Sequence, residues 1–189
     1  MQYFDRKIYT LIPLLKDLAW LIFNVFNFYK AKKSGKITKA FIEKIMLVTT
    51  AVNGCVYCAW FHAKMALKSG IEREEVNKLL NLQFNLQTSE YETVALLYAQ
   101  HYAETNRKVD KEMQESLINF YGEKTAKEII LYIRAIYFGN LSGNTFDAFL
   151  SRLDGKKAKN SNVIFEFVFF IFAAPILWPT MPYVKKYRK

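Results

Sequence analysis

The sequence predicts an all-α fold, and three observations carry that expectation. Only 7 of the 189 residues are glycine and 4 are proline, too few for the turn-dense chain of a sandwich or barrel. Leu, Ala, Glu, Lys, Phe and Tyr are plentiful instead. Apolar residues also recur at helical spacing, as in Phe41, Ile42, Ile45, Met46 and Val48. The length suits one globular domain with appendages. We place that domain at residues 38–153, between an apolar, basic N-terminal helix (1–37) and an apolar, basic C-terminal tail (154–189).

The elements follow in order. A first helix is expected from about Tyr3 to Lys30, with a kink near Pro13, ending in the polar turn Lys32-Lys33-Ser34-Gly35. A second begins after Thr38, and Asn53-Gly54 breaks it just before Cys55. The third carries both cysteines and closes at Gly70. Further helices are expected over Glu72 to Leu80, over Ser89 to Thr105 with Ser89 as N-cap, and over Lys111 to Tyr121, with a boundary at Gly122. The stretch from Glu128 to Gly139-Asn140 can then be laid over Glu43 to Gly54-Cys55. In that alignment Asn140, Gly143, Phe146 and Asp147 fall on Cys55, Cys58, Phe61 and His62. We read this as an internal two-fold repeat of helix, Gly break and helix in which only the first copy keeps thiols and imidazole. Face-to-face packing of the copies would bring Glu128 and Asp147 toward the thiols.

The formal charge of +10 invites a nucleic-acid reading until it is divided along the chain. Residues 1–42 hold eight Lys/Arg against two Asp/Glu, and residues 151–189 again eight against two; residues 43–150 are slightly acidic. The positive excess therefore sits in the two flanks, which also hold the most apolar stretches, Ile8 to Tyr29 and Val163 to Trp178. Basic and apolar together favour an anionic membrane surface over a duplex. No reader motif or phosphate-cradling Gly-rich loop supports nucleic-acid or nucleotide binding. Lys16 and Asp17 interrupt the first stretch, and Pro175 and Pro179 break the second, so neither is expected to span a bilayer. The alternative is that the first covers its own subunit and the second packs across a neighbour in an oligomer. Two cysteines three apart form no disulfide framework, and no secretory leader opens the chain, so the expected location is cytoplasmic, with membrane association open.

Cys55-Val-Tyr-Cys58-Ala-Trp-Phe-His62 holds both cysteines and one of the two histidines. On a helix beginning near Cys55, the spacings i, i+3 and i, i+4 put Cys55, Cys58 and His62 on one face. A thiol pair with its own base is a redox site in outline.

Glu43, eleven residues, Cys55, two residues, Cys58, three residues, His62 resembles the alkylhydroperoxidase D-like branch of the carboxymuconolactone decarboxylase superfamily. Ala66, Gly70 and the helix start Ile71-Glu72-Arg73-Glu74-Glu75-Val76 fit the same pattern, and the resemblance covers about residues 38–153. It implies an all-α fold, homo-oligomers (trimers or hexamers), and reduction of peroxides at the cysteine pair; the sequence carries no haem, flavin or nucleotide signature, so no cofactor or metal is expected. One position departs. The best-described members have a histidine immediately before the second cysteine, where this chain has Tyr57.

The chemistry can also be argued from the residues. A free thiol is mostly protonated at neutral pH and needs a helix N-terminus, a cation or a base to become a nucleophile. Cys55 and Cys58 sit at such a start. His62 can accept the proton of Cys58, and Glu43 on the preceding helix can orient the imidazole. The expected activity is that of a thiol-dependent peroxidase or disulfide oxidoreductase acting on organic hydroperoxides. Cys58 would attack, Cys55 would resolve, and an external dithiol protein would supply electrons. Tyr57 is a candidate hydrogen-bond donor at the site, and Trp60 and Phe61 a candidate apolar wall. Against this stand inert core thiols, a zinc site completed by Glu43 or His101, a non-catalytic membrane-peripheral or oligomeric scaffold, and a carboxymuconolactone decarboxylase-type reaction that would not need the thiol pair. His101, in Tyr98-Ala-Gln-His-Tyr, reads as structural.

Overall fold

A computed structural model describes residues 3–84, 89–159 and 161–187. Helix follows helix along the chain, as the composition requires. The order is β1 (Tyr3–Phe4), α1 (Leu11–Ser34), α2 (Lys39–Asn53), α3 (Val56–Lys68), α4 (Arg73–Leu80), α5 (Glu90–Glu104), α6 (Lys111–Leu153), β2 (Lys157–Ala158) and α7 (Val163–Leu177). A 3₁₀ turn at Trp178–Thr180 leads into α8 (Met181–Val184) and a second such turn at Lys185–Tyr187.

Local chemistry sets most boundaries. The side chains of Thr38, Ser89 and Asp110 each accept a hydrogen bond from the backbone N–H three residues on, capping α2, α5 and α6. Gly35 and Gly54 adopt left-handed conformations (φ 64° and 68°) that end α1 and α2. At Gly122, φ 74° and ψ 155° divide α6 into 111–121 and 123–153, at the boundary expected there.

Two expectations are corrected. The first helix starts at Leu11, because Tyr3–Phe4 pairs in parallel with Lys157–Ala158. Pro13 consequently falls in the first turn, where its missing N–H costs nothing and no kink is needed. Gly139 does not break its helix either. It lies inside the uninterrupted 123–153 stretch, so the helix, Gly break and helix of residues 43–70 has no copy in the second half. Cys55 can cap a new helix in extended geometry, whereas Asn140 stays helical.

The core forms where α2 runs between α5 and the second part of α6. Ile45, Leu47 and Val48 are fully buried among Leu96, Ile129 and Ile133. Each such side chain contributes roughly 1.5–3 kcal/mol by leaving water. Lys44 adds a clamp, reaching Glu75 of α4 at 2.6 Å and Glu92 of α5 at 2.7 Å. The flanks attach to this core from outside. α1 lies against α6 through Trp20, stacked under the Arg134 guanidinium at 3.7 Å, and through Phe28 on Tyr132. α7 lies against the end of α6 through Phe149 and Phe146 on Phe170. The tail thus packs on its own subunit.

Candidate active site

The turn Asn53-Gly54-Cys55 is held by bonds to α6. Thr50 donates to Asn140 Oδ1 at 2.9 Å, and the Asn144 amide donates to the carbonyls of Asn53 (2.8 Å) and Lys7 (3.0 Å). The fixed turn leaves Cys55 as the N-cap of α3, its sulfur accepting the backbone N–H of Cys58 at 3.3 Å. Both cysteines are free; Cys55 is fully buried and Cys58 partly exposed. The hydrogen bond to Cys55, reinforced by burial, pushes the Cys58 thiol well above its ordinary value. In the reduced pair Cys58 therefore keeps its proton.

Glu43 and His62 meet as the spacing foresaw. Glu43 Oε2 lies 2.8 Å from His62 Nδ1, which fixes the ring and leaves Nε2 as the nitrogen free to exchange a proton. Phe61 stands edge-on to the imidazole. Among the described residues no hydrogen bond runs from His62 to either sulfur.

The second half of α6 closes the site from the other side, through residues with different fates. Asp147 reaches it: Tyr57 donates its hydroxyl proton to Asp147 Oδ1 at 3.0 Å, and Arg6 pairs with Asp147 Oδ2 while its other nitrogen bonds the carbonyl of Gly54 at 3.3 Å. Glu128 does not, since it accepts from Ser34 near the end of α1. Gly143 is where backbone and thiols approach most closely. A Cβ there would lie 2.6 Å from Cys55 Sγ and 3.7 Å from Cys58 Sγ. Gly143 entered the sequence reading only as the counterpart of Cys58, and Arg6 carried no signal.

The tail supplies a roof that the sequence left unexplained. Met181 Sδ is 3.3 Å from the Tyr57 hydroxyl, Tyr183 stacks on Trp60 with centroids 4.9 Å apart, and Val184 is buried in one cluster with Cys55, Tyr57 and Phe146. Trp60 is thus a wall, shared with the tail.

Both residues offered as a fourth zinc ligand are paired elsewhere or with His62. Glu43 is engaged by His62, and His101 Nε2 lies 3.0 Å from Asp110 at the start of α6. Among the described residues no three His, Cys, Asp or Glu side chains converge on a point that could hold a metal ion.

Comparison with known proteins adds one match. Residues 18–101, which include Glu43, Cys55, Cys58 and His62, match the model of the carboxymuconolactone decarboxylase family. No curated protein and no solved structure matches the chain. The match and the helical architecture agree with the resemblance carried by the Glu-Cys-Cys-His spacing, and over residues 18–101 the chain is similar to the carboxymuconolactone decarboxylase family.

Proposed function

We propose that the protein is a thiol-dependent peroxidase or disulfide oxidoreductase that reduces organic hydroperoxides at Cys55 and Cys58. The observation that carries this reading is a reduced thiol pair in hydrogen-bonding contact at the start of α3, with the Glu43–His62 pair one turn on. Cys58 is the attacking residue, because it is partly exposed whereas Cys55 is fully buried. His62, its ring oriented by Glu43, takes its proton through a water. The thiolate attacks one peroxide oxygen, the O–O bond breaks, and the alcohol leaves with the proton held by His62. Cys58 becomes a sulfenic acid. Cys55 then attacks its sulfur, water leaves, and the disulfide forms; an external dithiol protein returns two electrons and two protons.

One equivalent of cumene hydroperoxide, followed by alkylation and intact-mass measurement, tests the cycle. An intramolecular disulfide that removes both alkylatable thiols supports it. Two thiols still alkylated after minutes would sink it, leaving the non-catalytic scaffold or a decarboxylase-type reaction. Cys55→Ala should stop at a sulfenic acid on Cys58 that dimedone traps, while Cys58→Ser gives no oxidised product. His62→Ala should slow disulfide formation by roughly a hundredfold, the lower range for loss of a general base.

A further inference from the structure

α1 and α7 are built with polarity reversed from that of ordinary surface helices. Such helices turn charges to water and apolar residues to the core. Here Asp17, the only acidic residue of α1, is buried, taking two bonds from Arg107 Nη1 at 2.6 and 2.7 Å and one from the Tyr9 hydroxyl at 2.6 Å. Glu166, the only charged residue of α7, is fully buried against Arg152 at 2.7 and 3.0 Å. Lys16, Asn27 and Lys30 of α1 also face water, but most of the outward surface is apolar: Ile22, Phe23 and Phe26 on α1, and Ile164, Phe172 and Ile176 on α7, with Phe23 84% and Phe172 78% exposed. Ionisable groups paired inward beneath an apolar exterior are the habit of helices bathed in hydrocarbon.

Length and flanking charge point the same way. Leu11–Ser34 and Val163–Tyr187 run 24 and 25 residues and contain 18-residue stretches of mean hydropathy 1.4 and 1.9, respectively. Lys32 and Lys33 close the first; Lys185 and Lys186 close the second, beside the exposed aromatics Trp178, Tyr183 and Tyr187. Aromatic and basic residues at the ends of an apolar segment match an interface with anionic lipid. A second copy of this chain fits less well. A two-fold contact would set one basic flank against another, whereas an anionic leaflet neutralises both.

The same tail roofs the thiols, since its inner side carries Met181 and Tyr183 against Tyr57 and Trp60. We propose that α1 and the 163–187 segment are bedded in an anionic lipid leaflet, and that the Cys55–Cys58 pair takes its substrate from that leaflet as a fatty-acyl hydroperoxide. The substrate class rests on the peroxidase reading; the bilayer contact does not. The reaction balances as before: the acyl hydroperoxide becomes the acyl alcohol plus water, the two thiols become a disulfide, and an external dithiol protein restores them.

The full-length reduced protein is floated with phosphatidylcholine vesicles, with and without phosphatidylglycerol. Flotation with the anionic vesicles is expected, and Phe172→Asp should weaken it by about tenfold or more, the cost of a charge on a lipid-facing site. Lys185→Glu with Lys186→Glu leaves the apolar packing untouched and should weaken it by about twenty-five-fold or more, since each basic group near an anionic surface counts for about one factor of five. Vesicles doped with phospholipid hydroperoxide should oxidise the thiol pair at least tenfold faster than cumene hydroperoxide in buffer. Phe172→Asp should abolish that advantage and leave the cumene hydroperoxide rate unchanged. Absence of flotation, or flotation indifferent to both variants, overturns the bilayer contact. An oligomer in sedimentation that Phe172→Asp dissociates, without vesicle binding, overturns it too and gives the face to a second copy. Flotation with thiols that resist both hydroperoxides overturns the substrate and the peroxidase reading together.

Discussion

Gly143 holds a place that no side chain can share, because a β-carbon there would lie 2.6 Å from the sulfur of Cys55. Gly143→Ala should therefore force the two helices apart, costing about 1–3 kcal/mol in denaturant unfolding as overpacked cores do, and slowing disulfide formation. Cys58 makes a pH prediction. Its thiol is raised by the bond to Cys55 and by burial, so the reactive thiolate is scarce at neutral pH and accumulates only as pH climbs past the ordinary thiol range. Alkylation of Cys58 by iodoacetamide should rise steadily into that alkaline region, and Cys55→Ala, which removes the first cause, should move the rise to lower pH. A profile unchanged by Cys55→Ala would show that burial alone sets the thiol. Glu43, Cys55, Cys58 and His62 were legible in the sequence because helical spacing places three of them on one face and Gly54 supplies the turn. Gly143 and Asp147 were visible only through an alignment. Arg6 and Met181 were not visible at all, since they arrive from opposite ends of the chain.

Among the elements, the caps and breaks written in short-range chemistry were readable: Thr38, Ser89 and Gly122 sit where the sequence placed them. The start of α1 was not, because the pairing that holds Tyr3–Phe4 lies more than 150 residues away in sequence. The Gly139 break failed for a related reason, since a helical glycine and a helix-ending one look alike without their neighbours in space. Attachment of α1 makes the next prediction. Asp17→Ala removes the acceptor that binds both Arg107 and the Tyr9 hydroxyl. Tyr9 is fully buried, and a buried hydroxyl without its partner costs about 1–3 kcal/mol, whereas Arg107, about a third exposed, can turn to water. Loss of that size in chemical unfolding is expected. Asp17→Asn, which can still accept from Tyr9, should recover part of it. The roof behaves differently. Tyr183→Ala deletes its stack on Trp60 and should speed alkylation of Cys58 while leaving the unfolding midpoint nearly unchanged, because Tyr183 is itself largely exposed.

Across the whole molecule, charge and hydropathy are sorted into a nearly neutral helical core and two flanks that are both basic and apolar. Composition alone made that division legible, but not its consequence. Only the packing shows that the acidic residues of α1 and α7 face inward, and that the tail lies over the thiols. Two forces would then hold the flanks on an anionic leaflet, and they respond differently to salt. Attraction of Lys32, Lys33, Lys185 and Lys186 to lipid headgroups is screened, the Debye length falling from about 10 Å at 0.1 M to about 3 Å at 1 M. Burial of Phe23, Phe172 and their neighbours in hydrocarbon is not screened. Salt added before mixing with phosphatidylglycerol vesicles should therefore suppress flotation by about tenfold or more, whereas the same salt added after binding should release little protein. Equal release in both orders would mean a purely electrostatic, superficial contact. In that case the exposed apolar faces would remain unburied on the vesicle, and the thiols beneath the tail would meet their hydroperoxide from the aqueous side.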